Sequence, residues 1–193
     1  AGLGLTSTEA GVIAAANFTG YLAGAIAGAY GWAAGRERMI GLLSLLLTVL
    51  LLAGMGLSSS IAVFVALRFL AGLASALAMI FVTSIVLAHA ARAGSEAVQS
   101  AHFGGVGFGI AASSLMVMLV GLAGGDWRAD WLIGAAVAGA MVLAVLLLLP
   151  RGPVHAAEIP REPPLVWDRA MVLTTLSYGL FGFGYVVTAT FIV

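Results

Sequence analysis

The stretch VALRFLAGLASALAMIF, residues 65–81, places one arginine inside an otherwise apolar run. Such a run is typical of a membrane-spanning helix, because about 20 apolar residues cross a hydrocarbon core of about 30 Å. A lone charge at the centre of such a helix costs about 2.5–3.5 kcal/mol on insertion scales. The first question that the sequence raises is therefore which group compensates the charge of Arg68.

The composition of the chain indicates that its solvent is lipid. Of its 193 residues, 62% are hydrophobic and 8% are charged, whereas a soluble domain carries about 25% charged residues. Eight basic residues, all arginine, balance eight acidic ones. No basic run is long enough to bind nucleic acid, and without cysteine there is no disulfide or thiolate site.

Six apolar runs alternate with polar breaks, near residues 8–32, 39–57, 60–88, 97–123, 131–149 and 170–193. Only helices and closed barrels satisfy the backbone in lipid, and no period-2 alternation is present, so the predicted fold class is all-α, a polytopic transmembrane helical bundle. The first, third and fifth breaks hold six arginines, whereas the second and fourth hold only one. The positive-inside rule therefore predicts that the odd-numbered breaks are cytoplasmic. These six are Arg36, Arg38, Arg92, Arg151, Arg161 and Arg169.

Glycine spacing predicts which helices pack closely against others. Gly20, Gly24 and Gly28 recur at four-residue steps in the first run, and Gly105 and Gly109 do so in the fourth. Small residues at this spacing admit another helix backbone. The second and fifth runs are rich in leucine and valine and are predicted to face lipid. The second block of three helices thus repeats the alternation of the first, between helices with regularly spaced small residues and helices rich in leucine and valine.

Several segments together resemble the major facilitator superfamily of secondary transporters. LRFLAGLASA (67–76) is similar to the family's fourth-helix motif, with Arg68, Gly72 and Ala76 at four-residue steps, and Gly72 is a further expected packing position. GDWRADWLIGA (125–135) is similar to the start of the family's sixth helix, with Asp126 inserted. The basic linker near 150–170 falls where the family joins its two six-helix halves.

The segment GAYGWAAGRER (28–38) resembles the family's loop between helices two and three. It keeps four positions of that loop, for which the resemblance implies a conformational role: Gly28, Gly35, Arg36 and Arg38. It departs from the pattern at two places. Trp32 stands where an acid is usual, and Glu37 stands where a base is usual.

The resemblance implies a domain organisation and a function. Residues 1–149 are expected to be the N-terminal bundle, helices two to six, 150–169 a cytoplasmic linker between the halves, and 170–193 helix seven. The expected protein is a fragment, lacking helix one, of a secondary active transporter in a bacterial inner membrane. It would move a small organic solute by alternating access with proton coupling. A non-transporting scaffold or receptor-like protein that retains the fold is the alternative.

The expected partners are therefore the lipid bilayer, a small-molecule substrate, H⁺, and the missing helix one and C-terminal half of the same chain. No enzyme activity, cofactor or metal site is predicted. The acidic residues fall at helix ends or in loops, and the three histidines share no metal-ligand spacing.

Arg68 is the main candidate for coupling, since the family associates this arginine with proton transfer. Ser75 and Met79 continue its helix face, which predicts that Arg68 points into a polar cavity rather than into lipid. Glu9 is the one carboxylate expected near its depth.

Three further groups of candidates each carry two interpretations. Asn17 and Tyr21, one turn apart, either contact solute or hold helices together. His102 is either a hydrogen-bonded interfacial residue or a titrating gate, because histidine changes charge near neutral pH. Tyr178 and Tyr185 project from one face and either line a cavity or pack.

Overall fold

The computed structural model describes residues 3–148 and 167–191, which are mostly helical, and short turns join the helices of the first range. The helices are α1 (Ser7–Gly28), α2 (Glu37–Leu57), α3 (Ile61–Ala93), α4 (Glu96–Leu122), α5 (Trp127–Leu148) and α6 (Arg169–Phe191). No strand occurs within the described ranges. The linker expected at 150–169 lies almost wholly outside the described residues.

Among the described residues, five helices, α1 to α5, are long and apolar enough to cross a membrane. Their outward side chains are large and apolar, as at Leu50, Leu122 and Leu147, which are 59%, 78% and 73% exposed. Such a surface needs lipid around it. The fold class predicted from the sequence, an all-α membrane bundle, is thereby confirmed.

Helix ends differ from the expected spans where caps and glycines determine them. α1 begins with a capping box, in which Thr6 Oγ1 accepts from the Glu9 N–H and the Glu9 carboxylate accepts from the Thr6 N–H. It ends at Gly28, four residues early, and Gly31 follows with φ +65°. α3 continues through His89 to Ala93, because Gly94 (φ +59°) is its first break.

Direct backbone contact joins α1 to α3, which run parallel. A Cβ atom at Gly20 would overlap the Phe69 carbonyl, and one at Gly72 would overlap the Asn17 carbonyl. At Gly24 it would lie 2.6 Å from the Leu73 carbonyl oxygen. The absence of side chains at these three positions therefore sets the distance between the two helices.

α2 packs between α3 and α5, antiparallel to both. A Cβ atom at Gly54 would lie 3.3 Å from Leu67 of α3, and one at Gly56 would lie 2.9 Å from Leu132 of α5. α2 has six buried residues, whereas α4 has none. The second run was predicted to face lipid. This prediction is wrong for one face of α2, because the small residues of that face and Leu51 pack against two neighbouring helices.

The chain divides into two compact units, Ala1–His155 and Ala156–Val193. In the first unit, α1, α3 and α5 begin at one end, here called the Thr6 end, and α1 and α3 finish at the opposite end, here called the Gly94 end. The second unit contains α6, whose described surface is largely exposed.

Candidate functional site

Arg68 lies in α3, about 10 Å from the start of the helix at the Thr6 end. The residue is half-buried. Its guanidinium carbon lies 5.1 Å from the centroid of the Trp131 ring on α5. Such a cation–π contact contributes about 0.5–2 kcal/mol, more when it is shielded from water. The ring of Trp131 thus stabilises part of the charge of Arg68.

The remaining hydrogen-bonding capacity of Arg68 is not fully used. Its Nε is buried and has no hydrogen-bond partner within residues 3–148 and 167–191. A buried donor without a partner is costly in an apolar environment. The group is therefore available to water, to a solute or to another part of the protein.

The first turn of α5 positions Trp131. Asp126 caps this helix, because its Oδ1 accepts from the Ala129 N–H at 3.0 Å. The Trp127 ring meets Phe64 edge-on at 5.9 Å between centroids. Arg128 lies 4.8 Å over the Trp127 ring, and its guanidinium also donates to the Gly56 carbonyl at 3.4 Å. These contacts fix α5 against α2 and α3 at the Thr6 end.

A cavity of about 630 Å³ opens between α4 and α5, with Leu52 of α2 at its wall. Its volume is in the range of small-molecule sites. The lining is mostly apolar, including Phe108, Met116 and Trp131, and Asp130 is its one ionisable residue. The Oδ1 atom of Asp130 is buried and has no hydrogen-bond partner in the described part of the chain.

Gly105 and Gly109 line this cavity instead of packing against a helix. A Cβ atom at either position would meet no atom within 4 Å. The close approach expected from their spacing is not made within the described bundle, because α4 has no buried residue.

The candidates of α1 and α3 lie along the contact between these helices. Asn17 is half-buried, and its backbone carbonyl meets Gly72. Tyr21 is 43% exposed. On α3, Ser75 is half-buried and Met79 is 37% exposed. The contact brings Asn17 and Tyr21 beside α3 near Gly72.

His102 joins α4 to α3 near the Gly94 end. Its Nε2 lies 2.9 Å from Thr83 Oγ1, and its ring meets Phe103 edge-on at 5.3 Å between centroids. Thr83 is also 3.7 Å from the Met79 sulfur. This geometry favours the first of the two interpretations of His102, a hydrogen-bonded interfacial residue.

The loop between α1 and α2 is fixed to α3 by an aromatic contact. Trp32 donates from Nε1 to the Ala27 carbonyl at 2.6 Å, and its ring meets Phe81 edge-on at 6.1 Å. Ala33, only 2% exposed, packs in a cluster with Ile40 and Phe81. The tryptophan that stands in place of the usual acid therefore acts as an apolar anchor.

The four loop residues singled out from the sequence have distinct placements. Gly28 approaches Ile80 of α3, and Gly35 has φ +75° and donates its N–H to Glu37 Oε1 at 2.9 Å. Arg36 is the N-cap of α2 and is exposed. The Nε of Arg38 is buried and lacks a hydrogen-bond partner among the described residues.

The tyrosines of α6 belong to the second unit. Tyr178 is 78% exposed, and its ring is 6.5 Å from that of Phe181. Tyr185 falls in α6, but its side chain lies outside the described part of the structure. No group of three His, Asp or Glu side chains able to hold a metal ion occurs in the described ranges.

Sequence reasoning missed Asp130 and Trp131 as members of one site. Starting the span at 131 placed Asp130 in a loop. The signal that was available is Asp126, an N-cap residue type whose position predicts a helix from 127. With that start, Asp130 and Trp131 belong to the first turns of α5, at the end of the bundle where Arg68 lies.

The sequence profile of a family described as "Uncharacterised MFS-type transporter YbfB" matches residues 1–193. No curated protein and no solved structure matches the chain.

Proposed function

Because the chain belongs to this family of MFS-type transporters, we propose that it moves a small organic solute by alternating access, coupled to protons. The family match over residues 1–193 is the observation that carries the proposal. This family consists of transporters and not of enzymes. With five apolar helices in its described part, the chain is a multi-pass membrane protein whose partners are the lipid bilayer and a small-molecule substrate.

In the proposed arrangement, residues 1–149 are helices two to six of the N-terminal half, and 170–193 are helix seven. The 150–169 linker is cytoplasmic in a bacterial inner membrane, which the distribution of arginines among the breaks supports. A cysteine introduced as Gly152→Cys tests this orientation. We expect labelling by a membrane-impermeant reagent only in inverted vesicles, and labelling from outside intact cells would contradict it.

Arg68 is the proposed coupling residue on α3. Its support is physical, because a half-buried guanidinium whose buried Nε has no partner among the described residues is costly unless water, a solute or another part of the protein binds it. Asn17 and Tyr21 of α1 and Ser75 and Met79 of α3 are proposed solute contacts. Tyr178 and Tyr185 of helix seven are further proposed solute contacts.

The test uses the full-length transporter in liposomes with an imposed pH gradient. A panel of radiolabelled sugars, amino acids, carboxylates and organic cations is screened for accumulation. Arg68→Lys and Arg68→Leu are expected to insert normally and to lower the initial rate about 10–150-fold, corresponding to one lost charge-assisted contact of about 1.5–3 kcal/mol. Arg92→Leu, at the exposed end of the same helix, is the matched control and is expected to transport normally.

Two results would contradict these proposals. Normal transport by Arg68→Leu would make Arg68 a passive residue that extends toward the membrane surface. A folded wild-type protein that moves no solute of the panel would favour the non-transporting scaffold.

A further inference from the structure

We propose that Arg68, positioned by Trp131, binds a carboxylate of the transported solute, and that this solute carries a single carboxylate group. The inference rests on the proposed transport of a small organic solute and adds the chemical class of that solute. It does not depend on which ion drives the transport.

The guanidinium of Arg68 is a positive charge that is held in place without being neutralised. Arginine stays protonated in proteins. In the described part of the chain its guanidinium contacts the Trp131 ring at 5.1 Å, and its buried Nε has no hydrogen-bond partner. An aromatic ring attracts a cation but does not cancel its charge. Arg38 shares the unpartnered Nε, but it lies in the first turn of α2, where a helix end can reach water.

The carboxylates of the described residues do not compensate Arg68. Glu96 is exposed at the Gly94 end, whereas Arg68 lies toward the Thr6 end. Asp130 precedes Trp131, but consecutive side chains leave a helix about 100° apart, and its Oδ1 is itself without a partner in residues 3–148 and 167–191. The other four accept hydrogen bonds from backbone N–H groups near them in sequence, namely Glu9, Glu37, Asp126 and Asp168.

A carboxylate is the ligand group that matches the unused capacity of Arg68. Its two oxygens can accept two parallel N–H bonds from a guanidinium, and it supplies the opposite charge as well. A hydroxyl or an amide would supply an acceptor and leave the charge uncompensated. Because Arg68 is half-buried, a solute reaches the accessible part of the guanidinium, and a rotation of this group then presents Nε to the second oxygen.

The charges near Arg68 favour a solute with one carboxylate. The other described arginines are already at helix ends, and Arg128, at the same end of the bundle, donates to the Gly56 carbonyl. Asp130 adds a negative charge in the first turn of α5. A phosphate monoester carries about two negative charges near neutral pH, and a dicarboxylate carries a similar charge. Either solute would bring a negative charge that no described cation compensates.

Transport by the full-length protein in liposomes tests the solute class. The panel of sugars, amino acids, carboxylates and organic cations is extended by dicarboxylates and phosphate monoesters. We expect every solute that the wild type accumulates to carry a single carboxylate. For each such solute, the amide that replaces this carboxylate is tested as a competitor in exchange without a gradient, and it is expected not to compete.

Substitutions of Arg68 and Trp131 separate binding from positioning in the same exchange assay. Arg68→Lys keeps the charge and loses the two-bond geometry, so we expect KM for the solute to rise about 10–150-fold and the maximal rate to change less. Trp131→Leu removes the ring and is also expected to raise KM, whereas Trp131→Phe retains an aromatic ring and should restore most of the binding. Arg92→Gln, at the exposed end of the same helix, is the matched control and is expected to keep the wild-type KM.

Nitrogen NMR of the arginine side chains detects carboxylate binding without transport. The full-length protein is labelled with ¹⁵N-arginine in detergent, and the Nε–H signal of Arg68 is identified by its loss in Arg68→Lys. Acetate is the probe, and acetamide is its neutral counterpart of nearly the same shape. We expect acetate to shift the Arg68 signal to saturation and acetamide to leave it unchanged.

Each outcome decides the inference. Accumulation of a solute without a carboxylate or with two anionic groups, an unchanged KM in Arg68→Lys, or an Arg68 signal that does not respond to acetate would overturn it. The last result would show that another part of the protein already binds the guanidinium. A wild type that transports nothing defeats the proposed function, while the response to acetate still shows whether Arg68 binds a carboxylate.

Discussion

Replacing Gly24 by alanine tests whether the backbone contact between α1 and α3 stabilises the bundle. A Cβ atom there would lie 2.6 Å from the Leu73 carbonyl oxygen, 2.9 Å from the Ala76 Cβ and 3.0 Å from the Leu73 Cα. These atoms belong to the backbone or to a first side-chain carbon, so no side-chain rotation can move them away. The two helices must separate instead.

The magnitude follows from a matched comparison with Gly109→Ala. Both substitutions gain about 0.8–1.0 kcal/mol of helix propensity. At Gly109 the new Cβ meets no atom within 4 Å, whereas overpacking at Gly24 costs about 1–3 kcal/mol. The free energy of unfolding of Gly24→Ala is therefore expected to be lower than that of Gly109→Ala by about 1–3 kcal/mol.

The assay is thermal unfolding of the 193-residue chain in detergent, followed by tryptophan fluorescence at one fixed scan rate. A difference of 1 kcal/mol shifts the midpoint by about 2–4 °C for a chain of this size. Gly24→Ala is expected to melt about 2–12 °C below Gly109→Ala. Equal midpoints, or a higher midpoint for Gly24→Ala, would refute the contact as the determinant of helix spacing.

Five further substitutions probe three other contacts in the same assay. Arg128→Ala removes the ring contact with Trp127 and the hydrogen bond to the Gly56 carbonyl, and is expected to cost about 0.5–1.5 kcal/mol; an unchanged midpoint would show that these contacts do not hold α5 to α2. Trp32→Ala is expected to cost about 1–2 kcal/mol and Trp32→Phe about half as much, and equal losses would contradict the role of the ring as an anchor. Thr83→Val and His102→Leu, alone and together, are expected to show a coupling energy of about 0.5–1.5 kcal/mol, and additive effects would exclude their hydrogen bond.

The helical bundle could be predicted from the sequence because length and hydropathy are local properties. Apolar runs of about 20 residues require helices in lipid, whatever their neighbours are. The cap residues Thr6 and Asp126 and the glycine at 94 then determine where individual helices begin and end. Reading Asp126 as part of a loop moved the predicted start of α5 by four residues and concealed Asp130.

The packing order of the helices could not be predicted in the same way. Leucine is equally stable against lipid and against another helix, so the leucine-rich α2 carried no signal of its six buried residues. The glycines of α4 share the spacing of those in α1, yet Gly105 and Gly109 face a cavity. Which row of small residues packs against another helix depends on the arrangement of all the helices.

The length of α3 allows a small rotation at one of its ends to produce a large displacement at the other. Its 33 uninterrupted residues span about 50 Å, well beyond a hydrocarbon core of about 30 Å. A tilt alone would have to exceed the usual limit of about 40° to contain it. Its last turns therefore project into the aqueous phase as a rigid rod. If the helix pivots by about 10° around its Ile61 end, Ala93 moves by about 8 Å, so a small rotation near Arg68 becomes a large displacement at the opposite surface.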